Sequence, residues 1–231
     1  MTDWWADRSF LRGDQYKTDV NLSARQSIYA YQHPRVDLAA KVFGLAVPAP
    51  SDTIVDVGCG NGMYLAELGR RGFSGRVLGV DLSSGMLMAA RDRLAAAVKS
   101  AAFASANVTA LPLRDGVADL TLAAHMLYYV PEPADALREL RRVTRSGGRV
   151  VIVLNGADHL PQLAAAIAAA PGVDLKPVGE RVNLDDGEAI ARDFFPGVTR
   201  HDFVTELRVP APDPIAAYVR SMSGTSRAPD P

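Results

Sequence analysis

The chain has 231 residues, 48% hydrophobic and 22% charged, with 25 Lys and Arg against 26 Asp and Glu. That length and apolar content suit one globular domain with a buried core, and the near-neutral balance argues against a grip on a nucleic-acid backbone, which needs a basic excess or stripe. The single cysteine, Cys59, excludes an internal disulfide and points to a reducing, cytoplasmic setting, while no apolar signal segment or run of eighteen apolar residues marks export or a membrane span.

Residues 1–50 are mixed and carry Trp4, Trp5, Tyr16, Tyr29 and Tyr31. Asn21-Leu22-Ser23 has the composition of a helix start, and Leu22 to Gly44 predicts one or two helices broken at His33-Pro34. Pro48-Ala49-Pro50-Ser51 then punctuates the chain. From Thr53 a regular rhythm begins. Thr53–Val57 reads as a buried strand, Met63–Arg70 as a helix, Arg76–Asp81 as a strand and Ser84–Lys99 as a helix. Ala118–Ala123 reads as a strand, Pro133–Thr144 as a helix and Arg149–Leu154 as a strand, with Gly147-Gly148 turning the chain between the last two. The basic cluster Arg138, Arg141, Arg142 and Arg145 fits the polar face of a helix. Leu160–Ala170 predicts an Ala-rich helix, residues 171–200 an irregular insertion, Arg200–Val209 a late strand and Asp213–Met222 a short helix. Strands alternating with helices at this spacing indicate an α/β fold, a doubly wound and mostly parallel sheet. The implied organisation is an N-terminal helical lid over 1–50, a main domain over 51–222 with a pocket-forming insertion at about 156–200, and a flexible tail over 223–231.

The segment that carries chemistry is Asp56-Val57-Gly58-Cys59-Gly60-Asn61-Gly62, between a strand and a helix. Glycines there let the backbone turn tightly and approach a ligand, and the helix start offers free N–H groups. The glycines run G-x-G-x-G with Met63 next, so the dinucleotide pattern G-x-G-x-x-G is not matched. A glycine-rich turn of this kind also occurs without a ligand. Asp81 ends the next strand, where a carboxylate can accept from both ribose hydroxyls; it can equally cap the helix from Ser84.

Together these segments resemble the class I S-adenosylmethionine-dependent methyltransferases. The resemblance runs through DVGCGNG at 56–62, GVDLSSGML at 79–87, ALPL at 110–113, ADLTLAAHMLYYV at 118–130 and LRELRRVTRSGGRVVIV at 137–153. NGADHL at 155–160 and NLDDG at 183–187 are similar to small actinobacterial-type methyltransferases of that class. The resemblance implies that S-adenosylmethionine is the cofactor and a small molecule the acceptor. It places Gly58, Cys59, Gly60 and Gly62 along the methionine part, with Asp56 steadying the loop near the amino group. It puts Asp81 on the ribose, Leu82 and Met86 beside the adenine, and Val108 N–H on the ring. The family usually carries an Asp four residues before the Leu-Pro pair; here Leu111-Pro112 places Asn107 there, an uncharged acceptor.

The stretch Ala124-His125-Met126-Leu127-Tyr128-Tyr129 follows the fourth predicted strand, where ligands sit in such sheets. His125 is therefore a candidate base or acceptor-orienting group, and His159, after the fifth predicted strand, a second. Each has a bland alternative: packing against the cofactor for His125, a helix cap for His159. His33 and His201 read as structural. In the lid, Tyr16 and Arg25 are candidates to cover the cofactor, Arg25 as a two-donor fork for its carboxylate or as a plain surface arginine. Leu184, Phe194 and Phe195 offer apolar surface to the pocket or to the core. The Asn/Asp-Pro-Pro-aromatic motif of many amino-group methyltransferases is missing from 124–129, which again argues against nucleic acid. No zinc spacing or G-x-S-x-G elbow is present, so neither metal nor serine-hydrolase chemistry is implied. Alternatives are a cofactor-binding regulator without catalysis and a nicotinamide oxidoreductase, which the glycine spacing disfavours. Oligomeric state is not encoded in any feature read here.

Overall fold

The computed structural model describes residues 7–95, 98, 100–169 and 182–222. The chain opens with α1 (Arg8–Phe10), started by the Asp7 carboxylate accepting from Ser9 and Phe10 N–H, and a further helical turn at Leu11–Gln15. Then come α2 (Val20–Ser27), a tight turn at Ile28–Tyr31, the two-residue strand β1 (Gln32–His33) and α3 (Leu38–Ala46), which Asp37 caps through Ala40 N–H at 2.9 Å. The alternating part follows: β2 (Thr53–Val57), α4 (Met63–Arg70), β3 (Arg76–Asp81), α5 (Ser84–Leu94), β4 (Ala101–Ser105), β5 (Ala118–Ala124), α6 (Pro133–Val143) and β6 (Thr144–Val153). The chain continues through α7 (Pro161–Ala168), α8 (Leu184–Phe194), β7 (Glu206–Leu207) and α9 (Pro212–Arg220).

Five strands form one parallel sheet in the order β4-β3-β2-β5-β6. Winding runs outward from β2 to β4, then returns to the other side of β2 for β5 and β6. The point where the direction changes lies between β2 and β5, and ligands in open α/β sheets bind at the carboxyl ends of such a pair. A small antiparallel pair, β1 with β7, ties the N-terminal segment to the C-terminal one.

Strand β2 shows why the sheet is covered on both faces. Its residues are mostly β-branched and none is exposed. Ile54 enters the core built with Phe43, Leu65, Leu68 and Leu94 of α3, α4 and α5. Val55 and Val57 enter the opposite core, with Leu137, Leu140 and Val143 of α6. Each such fully buried aliphatic side chain stabilises the fold by about 1.5–3 kcal/mol. By the same alternation Asp56 faces the α3–α4 side, where a carboxylate has no reason to be unless something polar meets it.

Strands β2 and β3 and helix α4 have the bounds that their patterns predict. Other elements differ. The helix from Ser84 ends at Leu94 rather than Lys99, and β4 takes Ala101–Ser105, a stretch too poor in β-branched residues to read as a strand. Pairing with β3 decides it. β6 begins at Thr144, not Arg149, with Gly147 at φ +71° inside it and a register shift opposite Ala118–Leu120. Arg145 consequently lies on β6, not on the helix, where it meets Asp119. The expected irregular insertion at 171–200 holds α8; its residues 171–181 lie outside the described ones, as does the expected tail 223–231. The expected strand Arg200–Val209 reduces to Glu206–Leu207, and the helices expected from Leu22 and Asp213 begin at Val20 and Pro212. No helix among the described residues is long and apolar enough to cross a membrane.

One arginine of the basic cluster is a clasp. Arg142 on α6 donates to the carbonyls of Leu111 (3.0 Å) and Leu113 (2.7 Å) and to Asp115, while Glu139 accepts from Arg142 and from Leu111 N–H. The loop after β4 is thereby fixed to α6. Charge-assisted bonds to half-buried partners contribute more than exposed ion pairs. Arg142→Ala should lower stability by about 1–3 kcal/mol, and exposed Arg141→Ala by less than ~0.5 kcal/mol, as read from urea midpoints; equal midpoints for the two would remove the clasp.

Candidate active site

A cavity of about 2220 Å³ opens at the carboxyl ends of β2 and β5 and runs under the N-terminal segment. The same hollow runs on past the carboxyl ends to residues 144–149 at the start of β6 and to residues 200–207.

The floor of one end is the turn after β2. Gly58 and Gly60 line it with φ of +73° and +53°, in the left-handed region that favours glycine. A Cβ on Gly58 would lie 2.7 Å from the Met126 side chain, and one on Gly60 3.0 Å from Leu22. Gly58 and Cys59 N–H both donate to Val80 O, locking the turn onto β3. Asp81, at the end of β3, accepts from Gly60 N–H at 2.9 Å on one oxygen and from Ser83 N–H at 2.8 Å on the other. Leu82 N–H acts on it as well, so the carboxylate is held rigid by the backbone around it at the cavity that it lines. Burial raises its pKa and these backbone bonds oppose the rise.

Leu82, Met86, Asn107 and Val108 continue the wall beyond Asp81. Asn107 holds its own turn: its oxygen accepts from Thr109 N–H at 3.3 Å and its nitrogen donates to Thr109 Oγ1 at 2.6 Å. One lone pair of the Asn107 oxygen is left for a ligand.

The N-terminal segment covers this floor. Asn61 in the turn donates to Gln26 Oε1 at 3.1 Å and to Ser23 Oγ at 3.4 Å, which seats α2 on the loop. Ser83 Oγ donates to Tyr16 O at 2.6 Å. The Tyr16 and Tyr129 hydroxyls bond at 2.6 Å, and Arg25 donates to Tyr16 Oη at 2.9 Å and to Ser221 O, just past α9, at 2.7 Å. Arg25 also lies over the Tyr16 ring. Three separated stretches meet in this cluster, and among the described residues its guanidinium has two neutral oxygen partners and no carboxylate partner.

At the other end stand Ala124, His125, Met126, Tyr128 and Tyr129, after β5. His125 is a non-glycine residue at φ +54°, held there by its N–H donating to Val153 O at 2.9 Å. Burial, then neighbouring His159, lowers its pKa to about 4 against a hydrogen bond with the Asn155 side chain. Its imidazole is therefore neutral at physiological pH. His159 is lowered by burial as well, and its Nε2 lies 3.3 Å from the Tyr29 hydroxyl.

Of the residues expected at the site, Tyr16, Arg25, Gly58, Cys59, Gly60, Asp81, Leu82, Met86, Asn107, Val108, Ala124, His125 and His159 all line the one cavity. Asp56 and Gly62 do not; they lie behind the wall. Asp56 is 1% exposed, and neither carboxyl oxygen has a hydrogen-bond partner among the described residues. Burial, then the Asp81 charge, pushes its pKa up to about 8. Leu184 and Phe195 line the cavity, whereas Phe194 packs into the α6-side core. Sequence reasoning passed over Tyr64 and Asn155 as site residues. Tyr64 sits two positions after the glycine turn, which is the one signal that could have drawn attention to it. No group of three or more His, Cys, Asp or Glu among the described residues could hold a metal ion.

Residues 55–152 match a family model described as a methyltransferase domain. An uncharacterized methyltransferase of Mycobacterium tuberculosis is 30% identical over 170 residues, covering 74% of this chain and 67% of that protein. This chain belongs to the class I S-adenosylmethionine-dependent methyltransferases. The methyltransferase is also 29% identical to malonyl-[acyl-carrier protein] O-methyltransferase of Serratia marcescens, over 81% of this chain and 69% of the relative. In fold it matches a SAM-dependent methyltransferase from Aquifex aeolicus with a TM-score of 0.56 at 20% identity, covering 79% of this chain and 88% of that one. S-adenosylmethionine is its cofactor.

Two outcomes follow for the methyltransferase. Gly58→Ala places a Cβ against Met126 and, at φ +73°, costs about 1–2 kcal/mol in backbone strain. Calorimetry with S-adenosylhomocysteine should show at least a tenfold weaker complex, with the fold retained by circular dichroism; wild-type affinity would mean that the turn yields freely. The second concerns pH. Asp56 has its folded pKa above its unfolded value, so the stability tied to its proton is complete below about pH 4 and is lost as pH rises through about 8. His125 has its folded pKa below its unfolded value, so it reduces stability only as pH falls from about 6.5 toward 4. Between about pH 6.5 and 8 the Tm of the ligand-free enzyme should fall, and Asp56→Asn should flatten that slope; an unchanged slope would assign the titration elsewhere.

Proposed function

We propose that this methyltransferase transfers the methyl group to a small organic acceptor held between His125, His159 and the apolar walls formed by α3, α7 and α9. The observation that carries the reading is the continuity of one cavity from the Gly58–Gly60 turn and Asp81 to the His125 end.

The residues fit the cofactor. The turn has backbone close to the cavity where any Cβ on Gly58 would collide, and the Asp81 carboxylate is an acceptor for ribose hydroxyls at the cavity wall. Asp56 is a buried carboxyl without a donor, next to the loop, and a cationic amino group near it would supply the missing opposite charge. When bound, the cofactor supplies a methyl group already electrophilic on its sulfonium sulfur, so the protein need only orient, desolvate and manage a proton. Leu82, Met86 and Val108 give the adenine end its apolar walls, and Asn107 offers an uncharged acceptor there.

Helix α2 and Tyr16 act as the lid, with Asn61, Gln26 and Ser23 as its seat. Arg25 strengthens this lid by joining Tyr16 to Ser221, and its two-donor fork remains the candidate for the cofactor carboxylate if it exchanges a neutral partner for a charged one. His125 presents a neutral imidazole to the acceptor. With a pKa of about 4 it orients an acceptor proton through a hydrogen bond more readily than it removes one. The Serratia marcescens relative is named for malonyl-[acyl-carrier protein], an organic acyl group borne on a protein, which speaks against a nucleic-acid acceptor and no further.

Incubation of the enzyme with methyl-labelled S-adenosylmethionine and a cell extract, followed by size fractionation, tests the reading. Label should enter the fraction below about 1 kDa in a His125-dependent manner. Label confined to precipitated protein or nucleic acid would sink it.

A further inference from the structure

Strands β3 and β5 flank β2 in the sheet, so their carboxyl ends lie about 10 Å apart with the Gly58–Gly60 turn between them. Tyr16 reaches both. Its carbonyl accepts from the hydroxyl of Ser83, two residues past β3, at 2.6 Å. Its own hydroxyl bonds that of Tyr129, past β5, at 2.6 Å and accepts from Arg25 at 2.9 Å. The residue thus bridges the two strand ends, and it lines the cavity with Gly58, Gly60 and Asp81. Leu22, on the helix α2 that follows, stands against Gly60, where an added Cβ would lie 3.0 Å from its side chain. The peptide after Tyr16 is seated on α5. A Cβ built on Gly85 would overlap the Lys17 carbonyl and lie 3.4 Å from the Tyr16 carbonyl oxygen. Alanine is the better helix former, so this glycine weakens the first turn of α5 and leaves the space that the Lys17 carbonyl fills. Ser83 joins the strap to the site: its N–H donates to Asp81 at 2.8 Å while its hydroxyl holds Tyr16.

We propose that Tyr16 is a crossbar over the cofactor site, one that lifts for S-adenosylmethionine to enter and for its product to leave, and that Gly85 and Ser83 are the positioning residues that set how readily it lifts. The inference rests on the cofactor lying along the Gly58–Gly60 turn and Asp81. It goes beyond a cover by naming the seat that governs exchange. The bar is fastened at two ends by few hydrogen bonds, and water replaces such bonds when the bar lifts, so opening is not costly. At the near end the fit is steric. Any side chain at position 85 pushes on backbone, which has no rotamer to turn aside. At the far end the hold is polar, through the Tyr16 hydroxyl alone. Loosening either end should therefore have the same kinetic signature. Ser83 Oγ also accepts from Met86 N–H at 3.2 Å and caps α5, so Gly85 and Tyr16 give the cleaner tests.

The test is surface plasmon resonance of S-adenosylhomocysteine over the immobilised full chain, wild type against Gly85→Ala and Tyr16→Phe. In both variants dissociation should quicken at least about fivefold, the scale of one neutral hydrogen bond. Association should hold or quicken, because the bar stands closed in the free enzyme too; damage to the site itself would slow it. Lys17 is exposed on the strap, so cleavage after it by lysyl endopeptidase, read by mass, reports the lifted bar directly. S-adenosylhomocysteine should slow that cleavage in the wild type. An unchanged dissociation rate in either variant, association that falls as dissociation rises, or wild-type cleavage after Lys17 that ignores the ligand would each overturn the crossbar. Tyr16→Phe and the wild-type cleavage stand independently of how well Gly85→Ala folds. Failure of S-adenosylhomocysteine to bind the wild type would instead strike the placement of the cofactor beneath the proposal.

Discussion

The turn that carries the chain from β2 to α4 is the constraint on which the site depends. Gly58 and Gly60 occupy left-handed conformations there, and the space beside Gly58 is already filled by Met126 from the β5 side. The backbone can approach a ligand only because no side chain intervenes. The same turn gives Gly60 N–H to Asp81, so the carboxylate at the end of β3 is aimed by the loop that it serves. Asn61 then reaches back to Ser23 and Gln26, so the cover over the cavity is registered on the same few residues. Displacing the turn would therefore displace floor, carboxylate and cover together.

Polar groups in the interior divide into those that hold structure and those that wait for ligands. Thr121 and Thr144 satisfy each other at 2.6 Å, and Glu67 is paired with both Arg70 and Arg71. These need nothing further. Asp56 and Tyr64, both directed to the α3–α4 side of β2, have no partner among the described residues. Buried polar atoms are nearly always paired in folded proteins. The two exceptions, one a carboxyl and one a hydroxyl, flank one glycine turn, and Asp56 is the charge that acts most strongly on Tyr64.

The ends of the chain are tied across the same cavity. Arg25 and Gln15 both donate to Ser221 O, and β1 pairs with β7. Stretches more than 170 residues apart thus share one boundary of the site. Helix α9 also packs against α2 and the turn that follows it.

Local pattern was enough for β2, α4 and β3, because each is a short run whose burial is dictated by its own residues, and for the glycine turn and Asp81, because their spacing carries the chemistry. Those features place the fold class and one end of the cavity. The sequence by itself did not decide β4, whose Ala-Ala-Phe-Ala-Ser run becomes a strand only because β3 offers it backbone partners. Nor did it decide α8, or the reduction of Arg200–Val209 to two paired residues. The acceptor end was the least legible. His125 was visible from its place after β5, but its neutral state depends on burial and on His159, and its orientation on Asn155. Tyr64 reads in sequence as one more helical aromatic. Only the packing of α4 reveals that its hydroxyl is buried and unpaired among the described residues, because a hydrogen bond or its absence is a property of atoms brought together by the fold.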